Sequence, residues 1–243
     1  MRSILFDRDT IAISLLYVCT FGSWIGFAFA LGQVMQVNFL ANGESAKHAA
    51  LHAAQIAFIG PLLGSLARIY GGRLADRLGG CRVTLGALAG MILGAALLVA
   101  IGTFDDHNAG AGSPSMIGCV TGFMVLFILS GMGNGSVFKV IPSVFEARSR
   151  SLDISEAERR RWSRAMSASL IGICSAVGAF GGVGINLALR ESHPSSGTET
   201  SAYWVFLASD VVAAALTWTV YGCRTLSARA VAGSALEAEP ARV

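Results

Sequence analysis

Gly72-Arg73-Leu74-Ala75-Asp76-Arg77-Leu78-Gly79-Gly80-Cys81-Arg82 is a short charged turn between two long apolar runs. A tight glycine turn bearing one acid and three arginines joins two membrane-length helices on the face where basic residues collect. One helical turn before it, within the apolar run, sits Arg68. A charge inside an apolar span is costly and calls for a partner or a function.

The rest of the chain agrees with a membrane reading. It is 53% hydrophobic and 14% charged, with a mean hydropathy of +0.61, whereas soluble domains carry about 25% charged residues. The 243 residues allow roughly six helices of about 20 to 25 residues plus loops. The sequence therefore predicts an all-α, polytopic membrane protein. Its six-helix bundle occupies 1–222, with spans at about 11–38, 50–72, 82–103, 115–142, 163–189 and 202–222. A cytoplasmic tail over 223–243 is expected to be disordered. No cleavable signal peptide is expected, because Met1–Thr10 carries two Arg and two Asp and the run that follows is too long for a signal core.

Basic residues alternate sharply between the junctions. Arg2 and Arg8, then Arg73, Arg77 and Arg82, then six arginines over 148–164, then Arg224, Arg229 and Arg242 fall on one side; Lys47 and Arg190 fall on the other. The positive-inside rule puts both termini in the cytoplasm. An even number of spans demands the same.

Glycines recur at small-xxx-small spacing: Gly22/Gly26, Gly60/Gly64, Gly86/Gly90/Gly94, Gly118/Gly122, Gly131/Gly135 and Gly178/Gly182. Such pairs line one helix face and let backbones approach. Each alone reads as packing; six together suggest helices that slide or rock. Tyr203 and Trp204 open the last span and Trp218 and Tyr221 close it, as interfacial anchors do. The Arg-rich 143–164 segment reads as a short amphipathic cytoplasmic helix against anionic lipid. The five cysteines are scattered and read as small apolar residues. The four histidines fall on the outer side, apart from one another. No nucleotide loop, nucleophile elbow, metal cluster or nucleic-acid motif appears, so neither an enzyme nor a cofactor is expected.

Three ionisable residues lie in the spans. Arg68 has small neighbours, Gly64, Ser65, Ala67, Gly71 and Gly72. Its planar fork suits a small planar oxyanion; equally, it lies about 7.5 Å along the helix from Arg73 and can snorkel. Lys139 follows the flexible, polar Gly131–Ser136 stretch and precedes Pro142, which ends or kinks the helix. Its reading is snorkelling to the cytoplasmic edge, with a place on a substrate or proton pathway as the rival. Asp210 receives no role. Tyr17 and Phe21, four residues apart, share a helix face.

Several of these stretches resemble a known family. Gly72-x-Leu74-Ala75-Asp76-Arg77-x-Gly79-Gly80-x-Arg82 resembles the cytoplasmic loop signature of the major facilitator superfamily. Phe21–Phe27 (FGSWIGF), Gly60–Arg68 (GPLLGSLAR) and Gly172–Val183 (GICSAVGAFGGV) are similar to the nitrate/nitrite porter family. The similarity runs from about Asp9 to Gly222 and matches the C-terminal six-helix half. It implies that Arg68 is a substrate-binding arginine and that Tyr17 and Phe21 line the same site. It implies that Gly172, Gly178, Gly181 and Gly182 form a glycine-rich signature and that Asn134 belongs to helix packing. Gly72, Asp76, Arg77 and Gly79 would serve the cytoplasmic gate, Asp76 near the start of the fifth span.

The family's site also uses an arginine from the first half, which this sequence does not contain. The resemblance thus implies nitrate uptake, by nitrite exchange or proton symport, as the C-terminal half of a transporter in the inner membrane, with the lipid bilayer and a missing N-terminal half or a second chain as partners. Charge balance favours exchange. A half specific for another small anion, or a non-transporting fragment or assembly partner, are the rival readings. Met1 lies close to the first span, which suits a truncated or split reading frame.

Overall fold

The computed structural model describes residues 8–107, 113–196 and 200–219. Among them it is all-helical. The elements are α1 (Arg8–Tyr17), a π-turn (Val18–Gly22), α2 (Ser23–Ala41), α3 (Ala46–Leu78), α4 (Gly80–His107), α5 (Ser113–Ser149), α6 (Glu156–Ser196) and α7 (Thr200–Thr217). α1, the π-turn and α2 run on as one rod, so six rods are long and apolar enough to cross a membrane. The tail and Tyr221, expected as disorder and as an anchor, lie outside the described residues.

The turns follow local chemistry. Gly79 adopts φ +89° and returns its N–H to the Ala75 carbonyl at 2.9 Å. Glycine alone takes this conformation without a Cβ penalty, which lets α3 stop one residue before α4 begins. At the N-terminus of α6, Ser155 and Glu158 form a reciprocal capping box: the Glu158 N–H donates to the Ser155 hydroxyl oxygen at 3.3 Å and the Ser155 N–H to the Glu158 carboxylate at 3.1 Å.

The 143–164 segment is not a separate amphipathic helix. α5 runs through Pro142 to Ser149, and α6 starts at Glu156. Pro142 does not end α5; the Ser143 hydroxyl that follows it donates to the Val140 carbonyl at 2.8 Å.

The core is aromatic and aliphatic. Phe27 packs edge-on against Phe123, Phe127 and Phe206, with centroids 5.3–6.3 Å apart. Tyr203 joins this cluster, 6.1 Å from Phe123. It is buried and is not an interfacial anchor; Trp204 and Trp218, 55% and 54% exposed, do face outward. Large apolar side chains such as Phe29, Leu93, Phe104 and Phe180 are exposed, which suits a surface that meets lipid. The histidines are not all apart. The rings of His48 and His52 sit 6.2 Å from each other, and His52 Nδ1 lies 3.0 Å from Glu44, because α3 places them one turn apart.

Candidate anion site

The seam between α3 and α5 positions Arg68. Gly64 and Gly131 meet backbone to backbone; Gly71 meets the Met132 backbone, and Gly135 meets the Arg68 carbonyl. With no Cβ on either side, the two helices approach closely. One turn beyond Gly135, α5 then delivers Phe138 beneath the guanidinium, with Arg68 Cζ 4.4 Å from the ring centroid. This is cation–π distance. Among the described residues no carboxylate pairs with Arg68.

The first span supplies the facing wall. Tyr17 and Phe21 stack at 5.1 Å, Tyr17 meets the Phe138 edge at 5.4 Å, and Phe21 stacks on Trp24 at 6.0 Å. Arg68 and Ser175 both interact with the Tyr17 hydroxyl. Arg68, Tyr17 and Phe21 therefore converge on one cluster with Phe138, Trp24 and Ser175. The last three carried no role from sequence. Phe138 is one aromatic residue in an apolar span, and Ser175 and Trp24 sit inside quoted motifs, none of them with a distinguishing signal. Trp24 Nε1 is buried without a hydrogen-bond partner among the described residues, so an indole donor stands beside the aromatic pair.

Two features shape this wall. The π-turn falls at Val18–Gly22, between Tyr17 and Ser23, and such one-turn bulges often mark functional sites. The buried Ser130 hydroxyl donates to the Thr20 carbonyl inside it at 2.8 Å. The glycine signature of α6 packs against the same stretch. A Cβ on Gly178 would stand 2.9 Å from the Tyr17 ring and 3.1 Å from the Phe21 ring. Gly181 faces the Val18 carbonyl and Gly22, and Gly182 faces Ile25 and Gly26. Gly172 meets nothing within 4 Å and is not a packing residue. Outward of the cluster, α2 and α6 bound a groove of about 680 Å³ whose polar lining is Gln33, Gln36, Asn186 and Arg190. Asn134 is buried with its Oδ1 unpartnered.

Near the turn between α3 and α4, Lys139 Nζ donates to Asp76 at 2.9 Å. Asp76 thus meets α5, and Lys139, reaching toward the α3–α4 turn, has a carboxylate partner there. Gly72 is buried beside Lys139, while Arg77 and Gly79 are exposed in the turn. The two paired side chains are about half exposed, at 51% and 55%, where such pairs contribute little. Asp76→Asn is expected to shift thermal unfolding in detergent by less than about 1 kcal/mol; collapse of the fold would instead make the pair a structural element.

No protein-family model matches the chain. The chain is 34% identical over 219 residues to the nitrate/nitrite transporter NarU of Escherichia coli, covering 88% of this chain and 44% of that protein. It is 35% identical over 220 residues to NarU of Salmonella typhimurium, with 87% and 44% covered. The chain is a homologue of the nitrate/nitrite porters. It is also 34% identical over 142 residues to a probable nitrate/nitrite antiporter, NarK2, of Thermus thermophilus, covering 58% of this chain and 30% of that one. These porter relatives are named as transporters and not as enzymes. The chain spans less than half the length of each.

Proposed function

We propose that this chain is the C-terminal half of a nitrate/nitrite transporter, working in the cytoplasmic membrane with both termini in the cytoplasm. The observation that carries this is the convergence of Arg68 with Tyr17, Phe21 and Phe138 in a chain homologous to named nitrate/nitrite transporters. A guanidinium with no carboxylate partner keeps donors free, and a flat aromatic floor matches a flat oxyanion. Nitrate offers its oxygens in the plane of the fork, which supports two parallel charge-assisted hydrogen bonds.

One arginine on an aromatic wall is half of a site. The other half would come from six further helices, in the same polypeptide or in a second chain, closing over Arg68 as facilitator folds do. The glycine contacts of α3 with α5 and of the first span with α6 would let the wall rock, with Gly72, Asp76, Arg77 and Gly79 at its cytoplasmic edge. The test is thermal unfolding of the chain, alone and together with a porter N-terminal half, in nitrate, nitrite, sulfate and chloride. A rise in midpoint with nitrate and nitrite only, stronger when the second half is present, is expected. Equal response to all four anions would refute the assignment.

A further inference from the structure

The most costly residue in the bundle has no part in the cluster around Arg68. Asp210, in the middle of α7, is 1% exposed, and neither of its carboxylate oxygens has a hydrogen-bond partner among the described residues. An unpaired acid inside a membrane span marks a functional site by default.

Its position gives it a specific neighbour. The first span and α7 are the first and sixth of six alternating rods, so they run antiparallel, and Phe27 meets Phe206 at 5.3 Å. Ser23 lies four residues before Phe27 and Asp210 four beyond Phe206, and both are buried. Asp210 acts electrostatically on Cys19 of the π-turn, which places these two titratable side chains near each other. The buried residues of α4 along this level, Leu88, Met91 and Ala95, are apolar, as are Ile13 and Leu16 of α1. On α6, Cys174 is engaged with Ser14 at 3.3 Å. No charged side chain of α1, α4 or α6 acts on Asp210 among the described residues. Asp210 thus sits on one side of the π-turn, while Tyr17 and Phe21 stand on its other side, against Phe138 and Gly178.

We propose that Asp210 is a proton-binding site linked to anion occupancy through the π-turn. Resting on the transport reading above, this inference favours proton-linked nitrate movement over pure nitrite exchange. The balance is simple: one proton from water converts the carboxylate to the carboxylic acid, one nitrate binds at Arg68, and the pair crosses without net charge. On the far side the proton returns to water. Charging or neutralising Asp210 changes the packing beneath a helical bulge that already carries one residue more than an α-turn, and the bulge holds the aromatic wall.

The experiment uses the chain in lipid, with its transport partner where one exists. Infrared difference spectra are expected to contain a protonated-carboxyl band that is lost in Asp210→Asn. Nitrate affinity of the unaltered protein is expected to tighten as pH falls, by up to about tenfold per pH unit for one linked proton. Asp210→Asn, which mimics the protonated acid, should hold the low-pH affinity at every pH. An unchanged pH slope in Asp210→Asn, a flat slope in the unaltered protein, or dependence on sodium in place of pH would overturn the proposal. Absence of nitrate binding at every pH would sink the transport reading instead; the infrared band still decides whether Asp210 carries a proton.

Discussion

Arg68→Ala is expected to weaken nitrate binding more than about a hundredfold. Each hydrogen bond to a charged group contributes about 1.5–3 kcal/mol, and the alanine removes two, together with the charge that offsets the anion. Arg68→Lys separates the two contributions. Lysine keeps the charge but loses the planar fork and its stacking on Phe138, so a loss of about tenfold, one hydrogen bond's worth, is expected. Isothermal titration or a nitrate-dependent unfolding shift reads both. Undiminished affinity in Arg68→Ala would remove Arg68 from the site, and full affinity in Arg68→Lys would mean that charge alone matters. Because Arg68 packs on Phe138 at the edge of the seam and forms no ion pair among the described residues, the alanine variant should still fold.

Gly131→Ala and Gly135→Ala are expected to be the most destabilising single-methyl changes in the bundle. The new Cβ at Gly131 would overlap the Gly64 carbonyl, and that at Gly135 the Arg68 carbonyl. Both obstacles are backbone, which no rotamer change can move. α3 and α5 must then separate, costing about 1–3 kcal/mol or more where a side chain is forced into a packed seam. Gly86→Ala is the control, since nothing lies within 4 Å of its Cβ position; it should be neutral or gain up to about 1 kcal/mol of helix propensity. Size-exclusion profiles and thermal unfolding in detergent compare the three. If Gly131→Ala behaved like Gly86→Ala, the close approach of α3 and α5 would be refuted. Gly135→Ala carries a second consequence: it pushes on the Arg68 backbone, so nitrate affinity should fall along with stability.

How far the candidate site was legible depends on whether its residues are costly where they stand. Arg68 announced itself because a guanidinium among Gly64, Ala67 and Gly71 conflicts with its surroundings. The glycines did so by their spacing, which repeats at one helical turn. Phe138 and Tyr203 did not, since an aromatic residue in an apolar span looks the same whether it floors a site, fills a core or anchors an interface. Tyr203 is buried against Phe123 for that reason, while Trp204, one residue on, faces out. Gly86 carries the same spacing signal as Gly90 and Gly94, yet a Cβ there would meet nothing within 4 Å, because the signal says which face a glycine occupies and not whether a helix lies there.

The sequence by itself determined the six spans and which ionisable residues lie within them, because hydropathy and charge act on each segment independently of the others. Only the tertiary structure decided pairings. It put Phe138 under Arg68, gave Lys139 to Asp76, bulged the first span at Val18–Gly22 beside the α6 glycines, and left Asp210 without a hydrogen-bond partner among the described residues. Those outcomes depend on the distance and register between helices, set by which glycines meet backbone across a seam, and no single segment encodes them.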